Sequence, residues 1–302
     1  MELGMVGLGR MGGNMAQRLL TGGHHIVAFD PQPLAVKAAE GNGADGASSL
    51  DELVSKLTAP KAVWVMVPDG APTESTIKSL AELLSDGDMI LDGGNSNFND
   101  SIRRSKELAE SGIEFMDVGT SGGVWGLTEG YSMMVGGSDE AFARIEPLIQ
   151  TLAPSPTSGY GHVGPAGAGH YVKMVHNGIE YGLMQAYAEG FELMNAREDM
   201  ALDMAQIAEI WREGSVVRSW LLDLTAAAFQ EDGDLSGLAA YVDDSGEGRW
   251  TVQESVDLAV PIPVITAALQ ARFRSRQDHP FGAKILSAMR NQFGGHAVRK
   301  AE

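Results

Sequence analysis

Glu2-Leu3-Gly4-Met5-Val6-Gly7-Leu8-Gly9-Arg10-Met11-Gly12, near the N-terminus, is the stretch that decides the fold. A short apolar strand over residues 2–7 runs into Gly7-x-Gly9-x-x-Gly12. A helix follows to about Leu20, and Gly22-Gly23 ends it. Ile26-Val27-Ala28-Phe29 reads as a second strand with Asp30 at its end. Strand, spaced glycines, helix, strand and acid together form a dinucleotide-binding fingerprint in its proper context. The glycines allow a tight turn and let a pyrophosphate approach N–H groups at a helix N-terminus. Asp30 lies 18 residues beyond Gly12, close to the expected spacing. Its carboxylate would accept hydrogen bonds from both ribose hydroxyls and repel a 2′-phosphate. Pro31-Gln32-Pro33 offers no cation to hold that phosphate, so NAD is expected over NADP.

The alternation continues. Ser49-Leu50-Asp51-Glu52 reads as a helix start. Residues 62–67 form a buried strand ending at Pro68. Met89-Ile90-Leu91 is another strand, followed by Asp92-Gly93-Gly94-Asn95-Ser96, with a helix over about 99–111. Phe115-Met116-Asp117-Val118 runs into Gly119-Thr120-Ser121-Gly122-Gly123. Ligands of open α/β sheets sit beyond strand carboxyl ends, where both polar, glycine-rich stretches lie. Gly159 to Gly169 reads as a link, and beyond it helices are expected over 170–196, 201–214, 216–230 and 256–277. Gly233 to Gly248 reads as an acidic loop ending in Arg249-Trp250-Thr251. The expected fold class is α/β: a Rossmann-type doubly wound domain over 1–164, then an all-helical domain with a C-terminal tail over 165–302.

Lys173-Met174-Val175-His176-Asn177-Gly178-Ile179-Glu180 carries the chemistry. On a helix, Lys173, His176, Asn177, Glu180 and Tyr181 fall within roughly 140° of arc. The opposite side, with Met174, Val175, Gly178, Ile179 and Gly182, reads as the buried one. Glycines spaced four apart suit a closely packed helix, and the polar stripe is expected to face a cleft.

Composition bounds the partners. The 302 residues carry a net charge of −18, which argues against nucleic acid and anionic membranes. From Arg249 onward the balance reverses, with eight Lys/Arg against four Asp/Glu. Cysteine is absent, which excludes a disulfide framework and thiolate chemistry. No signal peptide or membrane-spanning run is legible, so a cytoplasmic protein is expected. No Asp/His cluster has metal-ligand spacing, and no metal is called for.

Gly7-x-Gly9-x-x-Gly12, Asp92-Gly93-Gly94-Asn95-Ser96, Ser121-Gly122-Gly123 and Lys173 to Tyr181 together resemble the 6-phosphogluconate dehydrogenase family over nearly the whole chain. The resemblance implies oxidative decarboxylation of 6-phosphogluconate to ribulose 5-phosphate in the pentose phosphate pathway, with NAD as oxidant. It makes Lys173 the general base and Glu180 the general acid. The base role requires Lys173 well below its ordinary pKa of roughly 10.4. Asn95, Ser121, Gly122, Gly123, His176 and Asn177 would hold the sugar acid, and Tyr181 and Arg272 its phosphate. The ending Arg290-Asn291-Gln292-Phe293-Gly294-Gly295-His296 resembles the family's tail, whose Arg290 and His296 would complete a neighbouring subunit's site. A homodimer or homotetramer is implied. Gly7, Leu8, Gly9, Arg10, Met11, Gly12, Asp30, Val67, Pro68 and Asn95 make up the expected cofactor site.

Two features depart from the family pattern. The chain is short, lacking a helical part between about Phe281 and Arg290. The family's Lys-Gly-Thr-Gly phosphate loop is replaced by Ser245-Gly246-Glu247-Gly248, with Arg249 beside it as a substitute cation. Two other readings remain open: a β-hydroxyacid dehydrogenase for a small unphosphorylated acid, and an NAD-binding sensor without turnover. His176 and the C-terminal arginines disfavour the first, and the Lys173/Glu180 pair the second.

Overall fold

The computed structural model describes residues 1–294, 297 and 299. The chain divides into two compact units, Met1–His176 and Asn177–Glu302. The first begins with β1 (Glu2–Val6), α1 (Arg10–Thr21), β2 (His25–Phe29), α2 (Pro33–Gly41), β3 (Asp45–Gly46) and α3 (Leu50–Lys56). It continues through β4 (Ala62–Val65), α4 (Ala71–Leu83), β5 (Met89–Asp92), α5 (Phe98–Ala109) and β6 (Glu114–Ser121). Then come α6 (Gly126–Glu129), β7 (Ser132–Gly136), α7 (Asp139–Leu152) and β8 (Tyr160–Gly164).

The strands form one sheet in the order β3-β2-β1-β4-β5-β6-β7-β8. All pairs are parallel except β6 with β7. The order reverses between β1 and β4, which sets the switch point beside the glycine-rich turn. Residues of β4 and β5 are buried throughout, as their unbroken apolar runs require when helices cover both faces. Leu3, Met5, Trp64 and Met116 pack on one face, and Val27, Val63, Ile90 and Phe115 on the other. Helix starts follow their caps. Ser49 Oγ accepts from Glu52 N at 3.1 Å, and Asn97 Oδ1 accepts from Asn99 N at 2.9 Å.

Two expectations are corrected here. The expected link between Gly159 and Gly169 contains β8, which closes the sheet edge against β7. Its glycine content concealed a strand. The expected helix over 256–277 is two helices, α11 (Glu247–Asp257) and α12 (Pro263–Ser275). Pro261 and Pro263 bar a continuous ladder, and Ala259 turns left-handed at φ 54°.

The helix α8 (Ala168–Asn195) runs from the first unit into the second, followed by α9 (Met204–Arg212) and α10 (Trp220–Glu231) ahead of α11. The last helix among the described residues is α13 (Phe281–Gly294). The second unit has small cores, one around Phe191, Met204 and Leu222 and one around Tyr181 and Leu269. No helix among the described residues is long and apolar enough to cross a membrane.

A charge network ties α4 to α5. Arg103 Nη2 donates to Glu74 Oε2 at 2.7 Å and Arg104 Nε to the same oxygen at 3.0 Å. The Arg103 hydrogen bonds, helped by Lys78 and Arg104, pull the Glu74 carboxyl down to about 2 from its ordinary 4.5. A depressed carboxyl stabilises the fold above 4.5 and loses that contribution as pH falls toward 2. The urea midpoint should therefore fall more steeply across this window in the natural protein than in Glu74→Gln. The partly exposed pair limits the difference to on the order of 1 kcal/mol. Parallel slopes would remove Glu74 as the source.

Candidate active site

The cofactor end is built from the turn after β1. Gly7 adopts φ 92°, and a Cβ there would stand 2.5 Å from Met66 O. A Cβ at Gly12 would overlap Gly7 O, so α1 can start this close to β1 only with glycine. Gly9 is the N-cap with no side-chain cap hydrogen bond, and space is open where its Cβ would stand. The first N–H groups of α1, at Arg10 and Met11, thus present an uncapped helix N-terminus suited to a pyrophosphate. Asp30 ends β2 and reaches back: Leu8 N donates to its Oδ2 at 2.7 Å and Gln32 N to its Oδ1 at 2.8 Å. The carboxylate thereby anchors the glycine turn and keeps lone pairs for ribose hydroxyls. These features fit NAD.

Val67 and Pro68 follow β4, and Thr73 Oγ1 donates to Pro68 O at 2.9 Å. The Asn95 loop follows β5 and lies against them, since a Cβ at Gly94 would stand 2.6 Å from Val67 O. Asn95 holds φ 53°, and its buried Oδ1 has no partner among the described residues. The structure therefore brings the glycine turn, the Val67-Pro68 loop and the Asn95 loop together at the switch point.

Lys173 is set by the next strand. Asp117 of β6 is fully buried; its Oδ1 accepts from Gly167 N at 2.6 Å and its Oδ2 from His170 N at 2.7 Å. It thus caps the start of α8 with a negative charge at the positive helix end. A Cβ at Gly119 would overlap Lys173 Cβ, so the lysine stem lies directly on β6. Lys173 is 5% exposed, with Nζ 3.5 Å from His176 Nδ1. Ser121, Gly122 and Gly123 continue β6, and Gly122 rests on the Tyr131 ring. Burial pushes the Tyr131 phenol up to about 12.

Within the second unit, Tyr181 is the centre of a cluster. Ser245 N donates to its hydroxyl at 2.9 Å, Ser245 Oγ lies 3.1 Å from the same atom, and the Arg272 guanidinium stacks 3.6 Å from the ring centroid. The altered loop is thus stapled to Tyr181. Arg249 was expected as a substitute phosphate cation, but it forks onto Asp244 at 2.6 and 3.2 Å, and Asp244 also receives Arg276. These arginines hold the Asp244 carboxyl below its ordinary range, Arg249 foremost. Arg272 remains the arginine beside Tyr181. Asn177 is buried and Glu180 half-buried. Arg290 is exposed on α13, and His296 lies outside the described residues.

The expected division of α8 into polar and buried sides is corrected. The buried band is Lys173, Met174, Asn177, Gly178, Tyr181 and Gly182. Gly178 packs on Thr251, and Val172, Ile179 and Leu183 are 37%, 53% and 47% exposed. Packing followed the glycines and drew polar neighbours in, where they find partners.

A family model described as the NAD binding domain of 6-phosphogluconate dehydrogenase matches residues 2–164, and its C-terminal domain matches 169–280. This chain belongs to the 6-phosphogluconate dehydrogenase family. The NAD(+)-dependent, decarboxylating 6-phosphogluconate dehydrogenase of Haloferax volcanii is 44% identical over 303 residues, covering 100% of both chains. The Plasmodium falciparum 6-phosphogluconate dehydrogenase, described with NADP+ as its cofactor, matches with a TM-score of 0.83 and 27% identity. That match covers 100% of this chain and 67% of the other, whereas the Haloferax volcanii relative is matched over its whole length. The Mycobacterium tuberculosis 3-hydroxyisobutyrate dehydrogenase, at 22% identity and TM-score 0.74 over 92% and 94% of the two chains, shares the fold.

Sequence reading missed Asp117, Arg104 and Thr73, which hold the 6-phosphogluconate dehydrogenase motifs in place. A signal existed for one of them: Asp117, like Asp92, is an acid inside an apolar strand, and such acids need dedicated partners.

Asp30 supports a test of cofactor choice. Replacing Asp30 by Asn with Arg at position 31 should narrow or reverse the ratio of kcat/KM for NAD over NADP. Asn retains an acceptor for Leu8 N. An unaltered protein that already prefers NADP would contradict the assignment.

Proposed function

We propose that this chain catalyses the oxidative decarboxylation of 6-phospho-D-gluconate to D-ribulose 5-phosphate and CO2, with NAD as oxidant. The observation that carries this reading is Lys173, buried on β6 beside His176, on the same helix as Glu180 and Tyr181. It is supported by the match of both family domains and by the archaeal relative.

Lys173, neutral at the start, takes the proton of the substrate's 3-hydroxyl. NAD, held by the glycine turn and Asp30, would supply the two-electron oxidant for the hydride of C3. The product of this step is a 3-keto acid, and Lys173, now protonated, donates a hydrogen bond to its carbonyl oxygen. That carbonyl receives the electron pair of the C1–C2 bond and the Lys173 proton as CO2 departs, leaving an enediol. Glu180 protonates the carbon that becomes C1 of ribulose 5-phosphate, and the proton of the other enediol hydroxyl returns to Lys173. Asn95, Ser121, Gly122, Gly123, His176 and Asn177 orient the sugar acid. Tyr181 and Arg272 hold the phosphate, for which a guanidinium suits bidentate contact.

The reading includes self-association as a homodimer or homotetramer, with Arg290 and His296 of the tail completing a neighbouring site. The exposed apolar line of Val172, Ile179 and Leu183 on α8 supports it, as do Phe281, Ile285 and Leu286 on α13. A cysteine-free, acidic chain suits the cytoplasm. A substrate panel tests the assignment. Turnover of 6-phosphogluconate should far exceed that of gluconate or 3-hydroxyisobutyrate. Equal kcat/KM for phosphorylated and unphosphorylated acids would point to a small-acid dehydrogenase, and no turnover to a sensor.

A further inference from the structure

Arg104 lies on α5 and belongs to none of the sequence motifs, yet it is 2% exposed and bonded both to Asp92 at the end of β5 and to Glu74 on α4. Its Nη1 donates to Asp92 Oδ2 at 3.0 Å, and its Nε donates to Glu74 Oε2 at 3.0 Å. Asp92, fully buried, is the hub of the Asn95 loop. Gly94 N donates to its Oδ1 at 3.0 Å and Ser96 Oγ to its Oδ2 at 2.8 Å. Glu74 sits one residue after Thr73, whose hydroxyl holds Pro68 O. One guanidinium therefore spans the Asn95 loop and the helix that carries the Val67-Pro68 loop. Further along the same α5 face, Ser101 Oγ lies 2.8 Å from His170 Nδ1, and Phe98 packs edge-on against Tyr171 at 5.0 Å. The start of the Lys173 helix is tied to the same element.

Asn95 needs such a brace. Its φ lies in the left-handed region, and its buried Oδ1 has no partner among the described residues. We propose that Arg104 is a positioning residue for the reaction: clamped between Asp92 and Glu74, it fixes the Asn95 amide against the Val67-Pro68 loop. This rests on the reading above, in which Asn95 touches substrate and cofactor. Arg is required because its planar fork reaches two carboxylates at once, which an ammonium does not reproduce.

The test is a double-mutant cycle of Arg104→Lys and Asn95→Ala in the full-length protein. It is read as the single-turnover hydride-transfer rate, the KM for 6-phosphogluconate and the affinity for ADP-ribose. ADP-ribose lacks the nicotinamide and would be held by the glycine turn and Asp30, so its affinity reports an intact fold. Arg104→Lys should slow hydride transfer about 10–100-fold with ADP-ribose affinity unchanged. In the Asn95→Ala background the same substitution should cost much less, because its effect passes through Asn95. Equal losses in both backgrounds, or ADP-ribose affinity falling in parallel with the rate, would overturn the brace while leaving the active-site reading intact. Full activity of Asn95→Ala alone would overturn the active-site reading of Asn95, and the brace with it. If Arg104→Lys does not fold, Ser96→Ala, which removes one hydrogen bond to Asp92, carries the same cycle. Its loss should be smaller and likewise vanish without Asn95, and an unaltered rate would overturn the proposal.

Discussion

Lys173→Met should lower kcat by at least about 100-fold while NAD and 6-phosphogluconate still bind, since loss of a general base costs on the order of 10²–10⁴-fold. The substitution is chosen for the packing. The lysine stem lies against Gly119 and the side chain is 5% exposed, so a shorter residue would leave a cavity and a carboxylate would bury a charge. Methionine fills a similar volume without the amine. His176, 3.5 Å from the amine, loses a neighbour but no covalent or steric support. Calorimetric titration of both ligands separates a binding defect from a chemical one. Retention of more than about a hundredth of kcat would show that another group takes the 3-hydroxyl proton.

The second large effect concerns the tail. Arg290→Ala should raise KM for 6-phosphogluconate on the order of 10–100-fold, the worth of a charge-assisted hydrogen bond of about 1.5–3 kcal/mol. NAD affinity should not change. Arg290 is exposed on α13, on an arginine-rich final segment of an otherwise acidic chain. Within the second unit, Tyr181 already carries Arg272 over its ring, whereas Arg249 is taken up by Asp244. A phosphate dianion held there by one arginine gains from a second. Mixing Lys173→Met with Arg290→Ala under conditions of subunit exchange tests whether the tail acts across subunits. At substrate concentrations well below the raised KM, the mixture is expected to exceed the sum of the two variants, because some sites then combine an intact Lys173 with an intact tail. No recovery despite demonstrated exchange would put Arg290 in its own subunit's site or outside it.

Much of the first unit was legible in the sequence because its signals are local. Gly12 is glycine for a steric reason that acts within a few residues, and apolar runs such as Ala62–Val65, set between turn residues, read as buried strands. The capping of α3 by Ser49 is equally local. What escaped depends on residues far apart. Arg104 finds Asp92 12 residues away and Glu74 30 residues away, and a charged residue on a helix ordinarily reads as surface. Asp117 caps α8 from 53 residues earlier. Strand β8 is recognisable only through its pairing with β7, because its glycines resemble a linker. On α8 the periodicity was readable but the buried side was not. Lys173, Asn177 and Tyr181 lie inside because polar partners wait for them, while Ile179 lies outside.

In the proposed reaction, one site couples oxidation at C3 to loss of C1. Purified protein with NAD and 6-phosphogluconate carrying labelled carbon at C1 tests it directly, by following absorbance of NADH and release of labelled CO2 together. The mechanism requires NADH, CO2 and ribulose 5-phosphate in equal amounts from the start of the progress curve. NADH formed without CO2 would contradict the decarboxylating assignment and leave a simple hydroxyacid dehydrogenase. No NADH at all would contradict catalysis by Lys173.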